Sequence, residues 1–203
     1  MFTLFTIIIL GLSIIIHEVS HGFAALSQGD ATAKYAGRLT LNPISHIDPF
    51  GTIILPLLMA MSHIGVVFGW AKPVPYNPYN LRNGRWSELW VAFAGPLSNI
   101  VIALVCGTFL RFYGFNLSQG TIDLLGYTVL INLGLAFFNL VPIPPLDGSK
   151  ILFSLLPQKT LEMRAFLEKY GFILMIIFIF FIWQYCVPIV YVLFKLFTGV
   201  SLM

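Results

Sequence analysis

Residues 1–26 read MFTLFTIIILGLSIIIHEVSHGFAAL. Sixteen uncharged residues, most of them apolar, run directly into His17, Glu18, Val19, Ser20 and His21. As a helix the stretch is about 39 Å long, more than the roughly 30 Å hydrocarbon core of a bilayer. It reads as a membrane helix carrying ionisable groups in its second half. No basic residue precedes the apolar run and no small-residue cleavage site follows it, so a mature helix is expected rather than a secretion signal. A glutamate and two imidazoles inside such a helix cost on the order of several kcal/mol unless paired or bound to metal. Helix positions four apart stack on one face about 6 Å along the axis, so His17 and His21 can grip one ion with Glu18 beside it. That is the spacing of zinc hydrolases. Catalytic zinc takes three protein ligands and leaves a fourth position to water, whose pKa it lowers towards about 7, and the adjacent carboxylate can accept that water's proton.

The rest of the chain has the same apolar character. Its 203 residues are 58% hydrophobic, 15% aromatic and 9% charged, and mean hydropathy is +0.90. A soluble domain carries about a quarter charged residues, so this chain lacks the charge to cover a water-facing surface. Residues 89–110, 124–146 and 170–194 contain no Asp, Glu, Lys or Arg, and each is long enough to span. The fold class is an all-α polytopic membrane protein. The net charge of +3 comes from 11 Lys and Arg spread without a cluster, which excludes nucleic acid and leaves the lipid bilayer and membrane proteins as partners. Cys106 and Cys186 lie in apolar spans at no metal-finger spacing and read as core residues.

Five apolar segments follow one another: 1–26, 50–70, 89–110, 124–146 and 170–197. The connections between them are too short for a separate soluble domain, so a single domain over 1–203 is expected, with a motif-bearing core at 1–156 and an additional transmembrane helix at 170–198. Residues 34–41 and 72–76 have the short mixed pattern of extended strands, and a membrane-associated β element is expected there. A third metal ligand is offered by Asp147, delivered at the end of the fourth segment by Asn-Leu-Val-Pro-Ile-Pro-Pro-Leu-Asp-Gly over 139–148. Prolines in a membrane helix free backbone carbonyls, which is tolerable only where the break faces protein or a watery cavity. His46 and His63 are weaker candidates without partners at ligand spacing, and Trp70, Trp86, Trp90 and Trp183 read as interfacial anchors.

With these motifs in place the chain resembles the site-2 protease family, the intramembrane zinc metalloproteases of peptidase family M50, and within it the small bacterial type without a PDZ or CBS domain. The matching elements are His17-Glu18-Val19-Ser20-His21, the Asn-x-x-Pro-x-x-x-Leu-Asp-Gly element over 139–148, and Gly95-Pro96-Leu97-Ser98-Asn99 in the middle helix. The resemblance implies a core of three transmembrane helices around one zinc per chain. It implies His17, His21 and Asp147 as ligands, Glu18 as general base and Asn139 near the substrate carbonyl. Gly95, Pro96 and Asn99 are expected to serve helix packing, since small residues let membrane helices approach closely.

Ligand geometry then constrains topology. His17 and Asp147 each lie near the exit end of their segments, so the first and fourth segments must run in the same direction to share an ion. An odd number of crossings must separate them, and the third segment is the better crossing. Segment 50–70 is then re-entrant or non-crossing, leaving about four spans. That arrangement puts Lys34, Arg38, Lys72, Arg82, Arg85, Lys150, Lys159, Arg164 and Lys169 on one side and Arg111 and Lys195 on the other, nine against two; a crossing segment 50–70 gives seven against four. Positive charge collects on the cytoplasmic side, so the active site is expected towards the cytoplasm of a multi-pass cell-membrane protein. The function expected is zinc-dependent endopeptidase cleavage of single-pass transmembrane proteins or peptides, in regulated proteolysis or clearance of membrane stubs, with a regulatory membrane protein gating access. Edge strands at 34–41 or 72–76 are expected to hold the substrate extended. The alternative is a non-proteolytic zinc transporter or sensor. A transporter has no use for a general base and wants polar groups at successive depths, which 89–110 and 170–194 hardly offer.

Overall fold

The computed structural model of the chain describes residues 2–61, 69–157 and 160–200. His63 and Lys159 lie outside them. Eight α-helices are seen among the described residues: α1 Phe2–Ser27, α2 Thr32–Tyr35, α3 Leu55–Met61, α4 Arg85–Tyr113, α5 Gln119–Asn139, α6 Asp147–Leu155, α7 Leu161–Ile177 and α8 Trp183–Thr198. A π-helical turn, Phe178–Ile182, joins α7 to α8 without a break. Among the described residues, four helical stretches are long and apolar enough to cross a membrane: Leu4–Ser27, Arg85–Asn116, Gln119–Asn139 and Leu161–Thr198. The last has 38 residues, about 57 Å, nearly twice the bilayer core, so its charged first turns stand outside the apolar layer or the helix tilts.

Side-chain contacts fix the helix directions. Ser13 of α1 lies beside Asn132 of α5, and one turn later His17 lies beside Asp147 just beyond α5, so α1 and α5 run the same way. His17 meets Asn99 of α4 and His21 meets Val91, so α4 runs opposite to both. The shared direction that α1 and α5 need to meet at one site is therefore present, with α4 antiparallel between them. Ala103, Val129, Leu133, Val190 and Phe194 form a buried core where α4, α5 and α8 pack, and Gly107 lets α4 approach Phe197 closely. The half-buried Trp183 ring packs against Phe137, Phe138 and Phe178 at centroid distances of 5.7 to 6.2 Å.

Segment 50–70 returns to its own starting point. Trp70 N–H donates to Gly51 O at 3.1 Å, Thr52 Oγ1 donates to Trp70 O at 2.8 Å, and the Trp70 ring fills the space a side chain on Gly51 would need. The two described ends of the segment therefore lie side by side.

The expected β element is not formed: no strand occurs among the described residues. Over 34–41 the chain instead closes a helical turn. Asp30 accepts from Thr32 N to start α2, and Gly37, at φ +64°, ends it in the left-handed conformation that glycine adopts without strain. Over 72–76 Pro73 and Pro75 remove the two N–H donors of one edge, so that edge cannot build a ladder. The groups that remain are held one by one: Lys72 O accepts from Arg38 Nη2 at 2.8 Å, Lys72 N donates to His46 O at 2.9 Å, and Val74 N donates to Glu18.

Candidate metal centre

His17 and His21 stand on one face of α1, and both are buried, as is Asp147 at the first position of α6. The break between α5 and α6 turns the chain back so that this carboxylate faces α1. Gly148 makes the turn passable, because a β-carbon there would overlap the Leu140 and Val141 carbonyls. His17 Nε2, His21 Nε2 and Asp147 Oδ2 form a triangle with all three sides 3.1 Å. Among the described residues this is the one group of histidine, cysteine or acidic side chains placed to hold a metal.

The hydrogen bonds behind the triangle decide what it can hold. His17 Nδ1 faces Asn99 Oδ1 and His21 Nδ1 faces the Val91 carbonyl, each at 2.6 Å. Both oxygens only accept, so both Nδ1 atoms carry hydrogen and donate. In the neutral imidazoles both Nε2 atoms are then bare lone pairs, facing each other and a carboxylate oxygen. Three acceptors in a buried site repel unless a cation sits among them. Zinc bonds of about 2.0–2.1 Å in tetrahedral geometry give ligand edges of about 3.3 Å, close to the triangle observed. Two nitrogens and one carboxylate oxygen, each imidazole backed by an acceptor, are a donor set that zinc suits, with a fourth position left open.

Gly95 of α4 is the reason the imidazoles fit. A β-carbon there would stand 2.6 Å from His17 Nε2 and overlap His21 Nε2 as well. Asp147 Oδ1, the oxygen turned away from the histidines, lies 3.7 Å from Lys150 Nζ, whose ammonium also sits 5.3 Å above the Tyr76 ring.

Glu18 is half-buried, and its Oε2 accepts from Val74 N at 2.9 Å. A cavity of about 820 Å³ opens in front of it, lined by His17, Glu18, Trp70, Asn139, Leu146 and Lys150 among others, with Phe172 and Met175 of α7 forming another wall. Asn139 therefore faces the same space as the glutamate, with its Nδ2 bonded to Leu135 O in its own helix. His46 is buried apart from the triangle and bonds through Nε2 to Thr40 O at 2.8 Å.

The sequence reading left three contributors out. Asn99, expected to pack, is the acceptor behind His17; Ser13 and Asn132 are buried beside it and hydrogen-bonded to it or to each other. Their signal was present as two asparagines inside uncharged spans, where an unpaired amide is costly. Fixing Glu18 through the backbone of 72–76 left no mark in the sequence.

Comparison with known proteins gives the family. The profile of peptidase family M50 matches residues 5–118 and 112–182. YwhC of Bacillus subtilis (strain 168), named as a candidate zinc metalloprotease, is 38% identical over 181 residues, covering 85% of this chain and 78% of its own. Rip2 of Mycolicibacterium smegmatis, named likewise, is 31% identical, covering 85% of this chain and 66% of its own. The protein MJ0392 of Methanocaldococcus jannaschii, named a zinc metalloprotease, is 27% identical, covering 75% of this chain and 34% of its own. No solved structure matches the chain. Two apolar-helix motifs that meet in space, and a family profile that spans most of the sequence, lead to one assignment: the chain belongs to peptidase family M50.

Proposed function

We propose that this chain is a zinc-dependent intramembrane endopeptidase that cuts a peptide bond within or beside a transmembrane segment of a membrane-protein substrate. The observation that carries the proposal is that His17, one corner of the triangle it forms with His21 and Asp147, lines the same cavity as the Glu18 carboxylate inside a bundle of membrane-length helices. His17, His21 and Asp147 hold one zinc per chain. Zinc in such a site supplies Lewis acidity, polarising a carbonyl and lowering the pKa of water towards about 7.

The chain's own residues do the rest. Glu18, oriented by the Val74 N–H, accepts a proton from water as the oxygen adds to the peptide carbonyl carbon, and returns it to the nitrogen as the C–N bond breaks. Asn139, on the cavity wall, binds the carbonyl of the scissile segment. A helix hides its carbonyls in internal hydrogen bonds, so the substrate is unwound before it is cut. The whole of 1–203 acts as one membrane domain, with 170–198 as its additional spanning helix. The nine-to-two distribution of basic residues supports a site towards the cytoplasmic side of the cell membrane.

Glu18→Gln tests the assignment. The amide accepts no proton but leaves the three ligands in place, so the variant should keep about one zinc per chain and lose turnover by more than a hundredfold against a transmembrane peptide. Turnover within tenfold of the unsubstituted protein refutes the general-base role. Zinc transport into vesicles that survives the substitution favours a transporter or sensor.

A further inference from the structure

Behind His17, on the side away from the cavity, three polar side chains lie buried between membrane helices: Ser13 at 4% exposure and Asn99 and Asn132 at 0%. Their hydrogen bonds have one direction. Asn132 Nδ2 lies 2.9 Å from the main-chain carbonyl of Thr128, an atom that can only accept, and 2.9 Å from Ser13 Oγ. The amide nitrogen is therefore turned that way, and Asn132 Oδ1 is turned towards α4. There it meets Asn99 Nδ2 at 2.9 Å, which must donate. Asn99 Nδ2 also reaches the Ser13 carbonyl, but at 3.4 Å, close to the limit of a useful bond. With its nitrogen held on this side, Asn99 presents Oδ1 to His17 Nδ1 at 2.6 Å.

An asparagine amide has two nearly isosteric orientations, and which one is adopted is settled by its partners. With Asn99 reversed, an NH₂ group would face His17 Nδ1, and that nitrogen would have to accept. The imidazole hydrogen would then sit on Nε2, the atom that faces His21 and Asp147. A nitrogen that carries hydrogen has no lone pair for a metal.

We propose that Asn132 is a positioning residue that acts through Asn99 on His17: by fixing the Asn99 amide it fixes which imidazole nitrogen carries hydrogen, and so keeps Nε2 open to metal. The fixed point of the chain is a helix carbonyl, Thr128 O on α5, two side chains removed from the ligand. The inference rests on the reading of His17 as a zinc ligand, and a separate arm of its test addresses that reading.

The test measures zinc affinity of the detergent-solubilised full chain by competition with a chromogenic chelator, with no activity read. Asn132→Leu removes the acceptor for Asn99 Nδ2 and leaves only the 3.4 Å contact to hold it. Zinc affinity should fall by about tenfold or more, the range seen when partners behind a ligand are lost. Asn99→Asp supplies the readout that a merely structural role would not move. A carboxylate accepts from His17 Nδ1 in either orientation, so in the Asn99→Asp background the same Asn132→Leu change should alter zinc affinity by less than about threefold. Equal losses in the two backgrounds, or no loss in either, overturn the proposal. If Leu is not accommodated, as judged by loss of a monodisperse elution peak, Asn132→Ala carries the same pair of expectations. His17→Ala checks the underlying reading: it should abolish tight zinc binding, and full occupancy in that variant would refute the ligand assignment itself, whatever Asn132 does.

Discussion

Gly95→Ala sets two physical effects of opposite sign against each other. Gly95 lies inside α4, and in an ordinary helix interior the exchange for alanine stabilises by about 1 kcal/mol because the unfolded chain loses freedom. Here the new methyl would stand 2.6 Å from His17 Nε2 and would overlap His21 Nε2. A relaxed contact is about 3.5 Å, so roughly 0.9 Å must be found. Neither imidazole can retreat freely, because each is tied at its other nitrogen by a bond of 2.6 Å. Either α1 and α4 separate or both rings rotate off their acceptors. Overpacking of this kind costs about 1–3 kcal/mol, and it falls on the two atoms that face the metal. The clash outweighs the propensity, and zinc affinity should drop by about tenfold to a hundredfold, one factor of ten for each 1.4 kcal/mol. Chelator competition gives the affinity, and elemental analysis after gel filtration gives the occupancy. The thermal midpoint of the zinc-free protein, measured alongside, separates bundle packing from metal binding. A Gly95→Ala protein that binds zinc as tightly as the parent and melts higher would show that propensity wins, and that α4 does not press on the imidazoles as described.

Asp30 is wholly buried at the end of α1 and accepts from Thr32 N, Thr32 Oγ1, Asn77 N and Asn80 Nδ2. Burial pushes its carboxyl upwards, but these donors outweigh burial and hold it below the usual carboxylate range. A depressed carboxylate stabilises fully above its unfolded pKa of about 3.9, and that contribution is lost as pH falls through the lower folded value. Asp30→Asn should therefore lower the thermal midpoint at pH 7, by an amount equivalent to about 2 kcal/mol, and flatten its acid dependence below about pH 4; parallel melting curves at every pH would refute this. Because Trp70 bonds back to Gly51, cysteines at Asn42 and Asn83 in a background lacking Cys106 and Cys186 should both label from the cytoplasmic face with an impermeant thiol reagent. Labelling from opposite faces would mean that segment 50–70 spans.

What the sequence determined by itself was the class of the protein and the identity of its chemical groups. Apolar length is a local property, readable without knowing the fold, so the four spanning stretches were legible, as was the pairing of His17 with His21, which one helix places on one face. Joining Asp147 to them, and the parity that follows, needed only the direction of each segment. The long helix α7–α8 was read short, because its charged start resembles a loop when hydropathy is the guide. What only the tertiary structure decided were interactions between backbone and side chains distant in sequence. Residues 34–41 and 72–76 have the composition of strands, yet a ladder needs a partner with matching donors, and Pro73 and Pro75 have none to give; side chains from α1 and the neighbouring loop hold that segment instead. Asn99 looked like packing because a motif records which residue is present and not which way its amide faces. That orientation comes from Asn132, 33 positions away on another helix, and from a carbonyl whose only possible role is to accept.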